Sequence, residues 1–386
     1  MFGILGFNAS MGKRQKQVMV SSPSKSSTET SKEITDDVLI DIFSRLPPKA
    51  VARCRCLSKR WSSMMCHQHF TQLYLKKSSV RPRMIFTLLC NGKRIFYSIP
   101  QDLDPDRDYF NPITPNCRMH FPKGLDCNYE VCPSILGFIC TESRKPMICN
   151  PSTREYISLP IATTKKHQTR TCFGYDPINK LFKILCVSDD YVCRVATLGT
   201  SVVTWRRVEC STPHQPLHTQ ICIDGVLYYI IKCMDVTPTR FMVVCFDVTR
   251  ETFKFLGVDW LRTYSSALIN YHGKLGILSL NYFGFDLRVL EDANEAEWSK
   301  TVYILPNQWK HLATAANLDL VGMTSEGEFV LSKIFLEEPF YVYYFNTVKN
   351  TVVQVQIDFG TLPKKAYYSP EILTLINHVE NVELIN

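Results

Sequence analysis

A turn signal that recurs at intervals near 50 residues is the strongest constraint on the fold of this chain. A polar or glycine residue suited to a turn is followed six positions later by a large side chain. The pairs are Asn150/Tyr156, Asp176/Phe182, Gly199/Trp205, Asp247/Phe253, Asp292/Trp298 and Asn346/Val352. Apart from Asp176, successive turns lie 49, 48, 45 and 54 residues apart. A period near 50 residues with four strands per unit predicts a β-propeller, because a single blade cannot bury both of its faces.

Short β-rich segments fill the sequence from residue 81 onward. Further hairpin turns are indicated at Cys90–Lys93, Asp224-Gly225, His272-Gly273 and Glu326-Gly327. The first of these hairpins supplies one more blade ahead of the periodic series. We therefore predict a mainly β fold with about six propeller blades, whose repeated aromatic residues pack between blades. The alternative is an irregular β-sandwich with evenly spaced hairpins.

A small helical unit precedes the β-rich region. Thr35 is suited to cap a helix that begins with two aspartates, and Pro47-Pro48 ends that helix and can open the next. Ser58 can cap a third helix. The apolar residues at helical spacing are Val38, Leu39, Ile42, Phe43, Leu46, Val51, Cys54, Leu57, Trp61, Met64 and Met65. Three short helices make too small a core to be stable alone, so we expect the unit to rely on a partner or on the following domain.

The net positive charge of the chain comes entirely from its N-terminal 80 residues. Residues 1–32 carry five basic residues and one acidic, residues 33–80 carry eight basic and four acidic, and the remaining 31 basic and 31 acidic residues cancel. The β-rich region therefore has no net field that would attract nucleic acid. We divide the chain into a disordered tail (residues 1–30), a helical module (31–76) and a β-propeller-like domain (81–386).

The sequence favours a reducing compartment. No run of 18 uncharged apolar residues is present, and the first ten residues lack the features of a secretory signal. The 16 cysteines stand singly inside apolar segments, which is typical of buried free thiols rather than disulfides. We expect a cytoplasmic or nuclear protein without a membrane partner.

Residues 34–65 resemble the F-box motif. The segment contains Leu46-Pro47, Arg55-Cys56, Ser58-Lys59 and Trp61 at the spacing of that motif, and Ile34-Thr35 stands where the family has an initial Leu-Pro. The resemblance implies binding to a Skp-type adaptor, which links F-box proteins to a cullin scaffold. It also implies that a set of residues faces or supports the adaptor: Leu39, Ile42, Leu46, Pro47, Val51, Leu57 and Trp61. The alternative is that these residues form only the internal core of the helical unit.

From about residue 83 to 357 the chain resembles the plant F-box-associated domain of type three. The matching segments include FPKGLDCNYEVC, ICNPSTREYISLP and VCFDVTRETFKFL. The resemblance implies a propeller that binds a target protein for ubiquitination, but it does not name the target. The implied function is the substrate-recognition subunit of a Skp-cullin-F-box ubiquitin ligase, which acts by raising the local concentration of the target. The alternatives are a ligand- or carbohydrate-binding propeller or enzyme that carries an F-box, and a decayed member that no longer docks.

The sequence contains no recognisable catalytic motif. Neither G-x-S-x-G nor H-E-x-x-H is present. Cys54-x-Cys56 and Cys66-His67-x-His69 lie on predicted helices and lack a second ligand pair at zinc-finger spacing. His214 and His218 lie in a Pro-containing segment that we interpret as a loop. We therefore expect no enzymatic activity, no cofactor and no metal.

Overall fold

The computed structural model describes residues 34–90, 93–102, 111–120, 130–143, 145–162, 169–199, 202–233, 240–261, 266–315, 317–360 and 370–385. The tail predicted over residues 1–30 lies outside this part of the chain. Within the described ranges, no helix combines the length and the apolar character that crossing a membrane requires.

The N-terminal module consists of α1 Asp36–Phe43, α2 Pro48–Leu57, α3 Lys59–Cys66 and α4 Gln68–Ser79. The first three correspond to the helices predicted from the sequence, and α4 is an addition to them. Phe70 and Tyr74 lie one turn apart on α4 and are both fully buried in the core of the module. The Tyr74 hydroxyl also donates a 2.9 Å hydrogen bond to the Leu46 carbonyl oxygen. α4 therefore completes a core that three helices would leave open.

The ends of α1 differ in detail from the prediction. Thr35 occupies the N-cap position, but its hydroxyl makes no capping hydrogen bond. Asp36 and Asp37 in the first turn favour the helix through their charge. α1 ends at Phe43, before the two prolines, and Pro47 serves instead as the N-cap of α2.

The β-strands form six antiparallel sheets in which neighbours in space are also neighbours in sequence, except that the last strand of the chain joins the first sheet. In chain order the sheets contain β1 Arg83–Cys90, β2 Lys93–Pro100 and β3 Asn116–His120; β4 Ile139–Cys140, β5 Met147–Asn150 and β6 Glu155–Ser158; β7 Thr169–Asp176, β8 Leu181–Ser188, β9 Cys193–Thr197 and β10 Trp205–Val208; β11 Pro216–Ile223, β12 Val226–Lys232, β13 Phe241–Asp247 and β14 Thr252–Gly257; β15 Ser266–Tyr271, β16 Lys274–Asn281, β17 Gly284–Asp292 and β18 Glu297–Ile304; β19 Leu318–Met323, β20 Glu328–Lys333, β21 Phe340–Asn346 and β22 Thr351–Ile357. These sheets are blades 1 to 6 of a β-propeller, which confirms the predicted fold class. A 3₁₀-helix, Asn307–Thr314, connects blade 5 to blade 6.

The periodic turns mark the hairpin between the last two strands of a blade, which are the third and fourth strands in blades 3 to 6 and β5 and β6 in blade 2. In four of them a side-chain oxygen accepts the backbone N–H two residues further on, at 2.6–3.1 Å. These residues are Asn150, Asp247, Asp292 and Asn346. Gly199 has the corresponding place in blade 3 and adopts a φ of +83°. Asp176 does not fit the period of about 50 residues because its turn joins the first two strands of blade 3.

The hydrophobic core lies between neighbouring blades. Phe285 of blade 5 packs edge-to-face on Phe329 of blade 6, with ring centroids 5.2 Å apart. Phe182, at the sixth position after a turn residue, lies 5.1 Å from Phe138 of blade 2. First strands of neighbouring blades contact one another, so these strands line the propeller axis.

The two ends of the β-rich region meet in blade 1. The last strand, β23 Ile372–His378, pairs antiparallel with β1, from Arg83↔His378 to Leu88↔Ile372. β23 is the first strand of that blade and contacts β19 of blade 6. This pairing closes the ring, because the C-terminal strand completes blade 1 and packs against blade 6.

Residues 379–385 continue from β23 and join the propeller to the helices. Val382 is 1% exposed and belongs to the core of the helical module. Arg55 of α2 donates a 2.8 Å hydrogen bond to the Val382 carbonyl oxygen. On the other side, the Asn150 side-chain amide donates to the carbonyl oxygens of Asn381 and Glu383 at 3.0 and 3.1 Å. This C-terminal segment is therefore shared between blade 2 and the helical core.

Replacing Val382 with Ala should destabilise the helices selectively. Loss of two buried methyl groups is expected to lower the opening free energy of α2 to α4 by about 2 kcal/mol. Hydrogen exchange of the full chain should show faster exchange in these helices and unchanged exchange in blades 3 to 5. Val348→Ala, at a position that is 93% exposed, is the matched control. Equal exchange in both variants would show that Val382 contributes nothing to the helical core.

Candidate functional site

Helix α1 is apolar on two sides. Leu39 and Phe43 point into the core of the module, where Phe43 packs 5.0 Å from the Trp61 ring. Val38 and Ile42 lie one turn apart on the other side and are 50% and 44% exposed. The helix therefore carries more apolar surface than its own core covers.

Ile34, just before α1, is also exposed and precedes Val38 by four residues. Together Ile34, Val38 and Ile42 form what we call the α1 stripe. Exposed apolar residues in a row, rather than scattered singly, indicate a surface that a partner covers.

The seven residues that the resemblance assigns to the adaptor surface differ in how far they are exposed to solvent. Val51 is fully buried and can only support the surface from within. Leu39, Leu46 and Trp61 are half-buried and pack on the core. Three others are exposed, namely Ile42, Pro47 and Leu57.

Two residues of the α1 stripe, Ile34 and Val38, were absent from that predicted set. Ile34, Val38 and Ile42 follow one another at intervals of four residues, and this spacing is the sequence signal that identifies the first two. This signal is ambiguous, because Leu39 and Phe43 are also four residues apart in the same helix. The structure shows that the other helices of the module cover Leu39 and Phe43.

Ion pairs connect α1 to the other helices. Asp41 pairs with Arg45 at 3.0 Å and also contacts Lys77 of α4. Hydrogen bonds from Arg45 and Lys77 lower the pKa of Asp41 to about 2. Asp36 pairs with Arg60 of α3 at 2.7 Å. All of these groups except the half-buried Lys77 are exposed, so each pair contributes little to the stability of the module.

A groove of about 370 Å³ lies between α1, α3 and the start of α4. Asp36 and Ile40 of α1 line one wall, and Met64 and Phe70 line the other. Asp36 and Ile40 project from the opposite side of the helix to Val38, since two residues correspond to about 200° of rotation. The groove and the α1 stripe are therefore separate surfaces.

The helical module and the turns between second and third strands lie on opposite faces of the propeller. The turn at Asn150, between the last two strands of blade 2, holds the segment that enters the helical core through Val382. Turns between second and third strands leave the opposite face. One of them presents Tyr282 and Phe283 to solvent and is capped by Asn281, which accepts the Phe283 N–H at 2.8 Å.

Carboxylates of three blades influence one another near the axis. Desolvation raises the pKa of Asp319 on β19, and the charges of Glu371 and Glu130 raise it further. Such carboxylates are the feature that an enzyme or carbohydrate-binding propeller requires. The carboxylates alone do not assign an activity.

The cysteine and histidine residues of the helices serve local structure. Cys56 and Cys66 are exposed and Cys54 is half-buried. The His67 ring nitrogen accepts the His69 N–H at 3.3 Å and caps α4. Among the residues that the structure describes, these side chains do not form a three-ligand group.

The two histidines interpreted as loop residues differ in position. His218 lies in β11, so the loop interpretation is wrong for this residue. A strand begins at Pro216 because a proline is tolerated at the first position of a strand. His214 lies in the connection before β11 but is 1% exposed.

Both the helical module and the propeller match known protein families. The F-box domain family matches residues 33–73, and the F-box associated beta propeller domain family matches residues 83–379. F-box protein At3g47030 of Arabidopsis thaliana is 51% identical over 405 residues, covering 100% of this chain and 97% of the relative. E3 ubiquitin-protein ligase SGIP1 of the same organism is 38% identical, covering 97% of this chain and 99% of the relative.

A solved structure of TolB from Acinetobacter baumannii is similar with a TM-score of 0.44 and 10% identity, covering 77% of this chain and 66% of that one. The sequence relatives, by contrast, extend over almost the whole chain, and the propeller family alone matches well over half of it. The chain therefore belongs to the family of F-box proteins that carry an F-box-associated β-propeller domain.

Proposed function

We propose that this protein is the substrate-recognition subunit of a Skp-cullin-F-box ubiquitin ligase. The observation that carries the proposal is the α1 stripe, an uncovered apolar surface on a module that matches the F-box family. A Skp-type adaptor covers the stripe and connects the chain to a cullin. The relative named as an E3 ubiquitin-protein ligase supports the same assignment.

The C-terminal segment suits this function because it fixes the propeller relative to the docking surface. Arg55 binds the Val382 carbonyl oxygen from α2, and Asn150 binds the same segment from blade 2. A target held by the propeller then has a limited range of positions relative to the ligase. Limiting that range raises the effective concentration of target lysines near the conjugating enzyme.

The target binds, in this proposal, on the propeller face opposite the helices. That face carries the turns between second and third strands, including the one that exposes Tyr282 and Phe283. Connections of this kind vary in sequence on a common scaffold and carry specificity. The balanced charge of the β-rich region indicates recognition by local contacts rather than by a general electrostatic field.

The protein supplies binding and not chemistry. In the described part of the chain, burial raises the pKa of many of the propeller cysteines, including Cys172 and Cys186. Such thiols are poor nucleophiles because the thiolate is the reactive form. We place the protein in the cytoplasm or the nucleus, because free cysteines such as those of the described part of the chain are typical of a reducing compartment.

Replacing Val38 and Ile42 together with Ala should weaken adaptor binding. Interface anchors cost about 2 kcal/mol or more when truncated, which is roughly a 30-fold loss of affinity. Thermal stability should stay close to wild type, because both side chains are about half exposed before binding. Calorimetric titration of the full chain with a purified Skp adaptor measures the affinity.

The matched control replaces Val302 and Ile304 of blade 5 with Ala. These residues are the same two types, and they are 52% and 58% exposed on the propeller. Adaptor affinity should be unchanged in this variant. If both variants bind the adaptor with wild-type affinity, the α1 stripe is not the docking surface.

The purified chain should form no thioester with ubiquitin. Incubation with activating enzyme, charged conjugating enzyme and ubiquitin, followed by non-reducing electrophoresis, is the measurement. A ubiquitin adduct that a reducing agent removes and that requires a cysteine of this chain would show catalysis by the protein itself.

A further inference from the structure

Three potential metal ligands converge where blade 3 leads into blade 4. Cys193 begins β9, Cys210 follows β10 by two residues, and His214 precedes β11 by two residues. One ligand atom from each lies within 4.8 Å of the other two. Cys193 and His214 are buried and Cys210 is half-buried. The group therefore combines a shielded interior with one side near solvent through which an ion can enter.

The separation of the ligand atoms suits a tetrahedral ion. The Cys210 sulfur lies 3.6 Å from Nδ1 of His214. With Zn–S near 2.3 Å and Zn–N near 2.0–2.1 Å, a tetrahedral angle gives an S···N edge of about 3.6 Å. The two side chains are thus already spaced as ligands of one zinc ion.

The surroundings of His214 match those of a metal-binding imidazole. Nε2 lies 2.6 Å from the Tyr229 hydroxyl, and Nδ1 lies 2.8 Å from the Thr212 carbonyl oxygen. Because a carbonyl oxygen only accepts, Nδ1 carries the proton in this state and Nε2 accepts from Tyr229. When a metal occupies Nδ1, the proton moves to Nε2 and is donated to the Tyr229 oxygen. A hydroxyl can donate or accept, so Tyr229 can serve both states and can accept the N–H that a metal-bound histidine donates from its other ring nitrogen.

We propose that Cys193, Cys210 and His214 bind one zinc ion as a structural site. Two thiolates neutralise Zn²⁺, so the loaded site carries no net charge into the interior of the propeller. Binding releases the two thiol protons to solvent, and the Thr212 carbonyl oxygen, which lies beside both Cys210 and His214, takes the fourth position and closes the site. Zn²⁺ has no redox chemistry, so binding involves no change of oxidation state. Cysteine sulfur and histidine nitrogen are ligands that zinc commonly binds.

Zinc at this position would anchor the connection between two blades. Cys193 belongs to β9, while Cys210 and His214 lie in the segment 209–215 that leads to β11. Only the Cys and His residues of the helices and the two histidines interpreted as loop residues were considered as ligands from the sequence, and Cys193 and Cys210, 17 residues apart, do not have the spacing of a zinc-finger pair. Only the pairing of β9 with β10 brings the two cysteines together.

Metal analysis of the full-length protein tests the site. Protein produced with added zinc and then dialysed should retain about one zinc ion per chain by mass spectrometry, as a single structural site requires. Cys210→Ser should abolish retention, and Tyr229→Phe should weaken zinc affinity by roughly 10–100-fold in chelator competition. Cobalt substitution of the wild-type protein should give a thiolate-to-cobalt charge-transfer band with visible bands of tetrahedral intensity.

Two controls separate this site from other thiols. The Cys56→Ser, Cys66→Ser double variant removes the exposed cysteines of the helices and should retain zinc fully. Cys222→Ser removes a half-buried thiol outside the cluster and should also retain it. Loss of zinc in either control but not in Cys210→Ser would overturn the proposal. If Cys210→Ser does not fold, the cobalt spectrum of the wild-type protein tests the site instead. A spectrum without a thiolate-to-cobalt charge-transfer band would overturn the proposal.

Discussion

The pairing of β23 with β1 is the interaction on which the remainder of the structure depends. Six blades with their inner strands around one axis bury their faces only if the last blade meets the first. The C-terminal strand provides this contact from blade 1, and the segment after it enters the helical core through Val382. Ring closure and assembly of the helical module therefore depend on the same stretch of chain. A module too small for a core of its own obtains part of that core from the far end of the sequence.

Local sequence was sufficient to predict the blades but not their closure. Asn150, Asp247, Asp292 and Asn346 form turns with their own backbone, so their spacing reports the repeat directly. The pairing of β1 with β23 joins residues nearly 300 positions apart, and no local pattern encodes it. The helix α4 was missed for a related reason, since Phe70 and Tyr74 pack against residues from three other helices and the C-terminal segment.

The candidate site was predicted in part. The motif identified the helices and most of the apolar residues. Spacing alone could not show which apolar residues of α1 belong to the core and which lie on the surface. Packing makes the division: Leu39 and Phe43 are covered by the module, whereas Val38 and Ile42 are left uncovered. The Cys193, Cys210 and His214 cluster was beyond prediction for the same reason as ring closure, because strand pairing assembles it.

Hydrogen exchange of the full chain, with and without a purified Skp-type adaptor, tests the central claim most directly. Adaptor binding should slow exchange in α1 and at the start of α2, next to Ile34, Val38, Ile42 and Pro47. Exchange in blades 3 to 6 should be unchanged, because the propeller is left free for a target. Protection confined to the propeller, or no protection at saturating adaptor, would contradict docking through the α1 stripe.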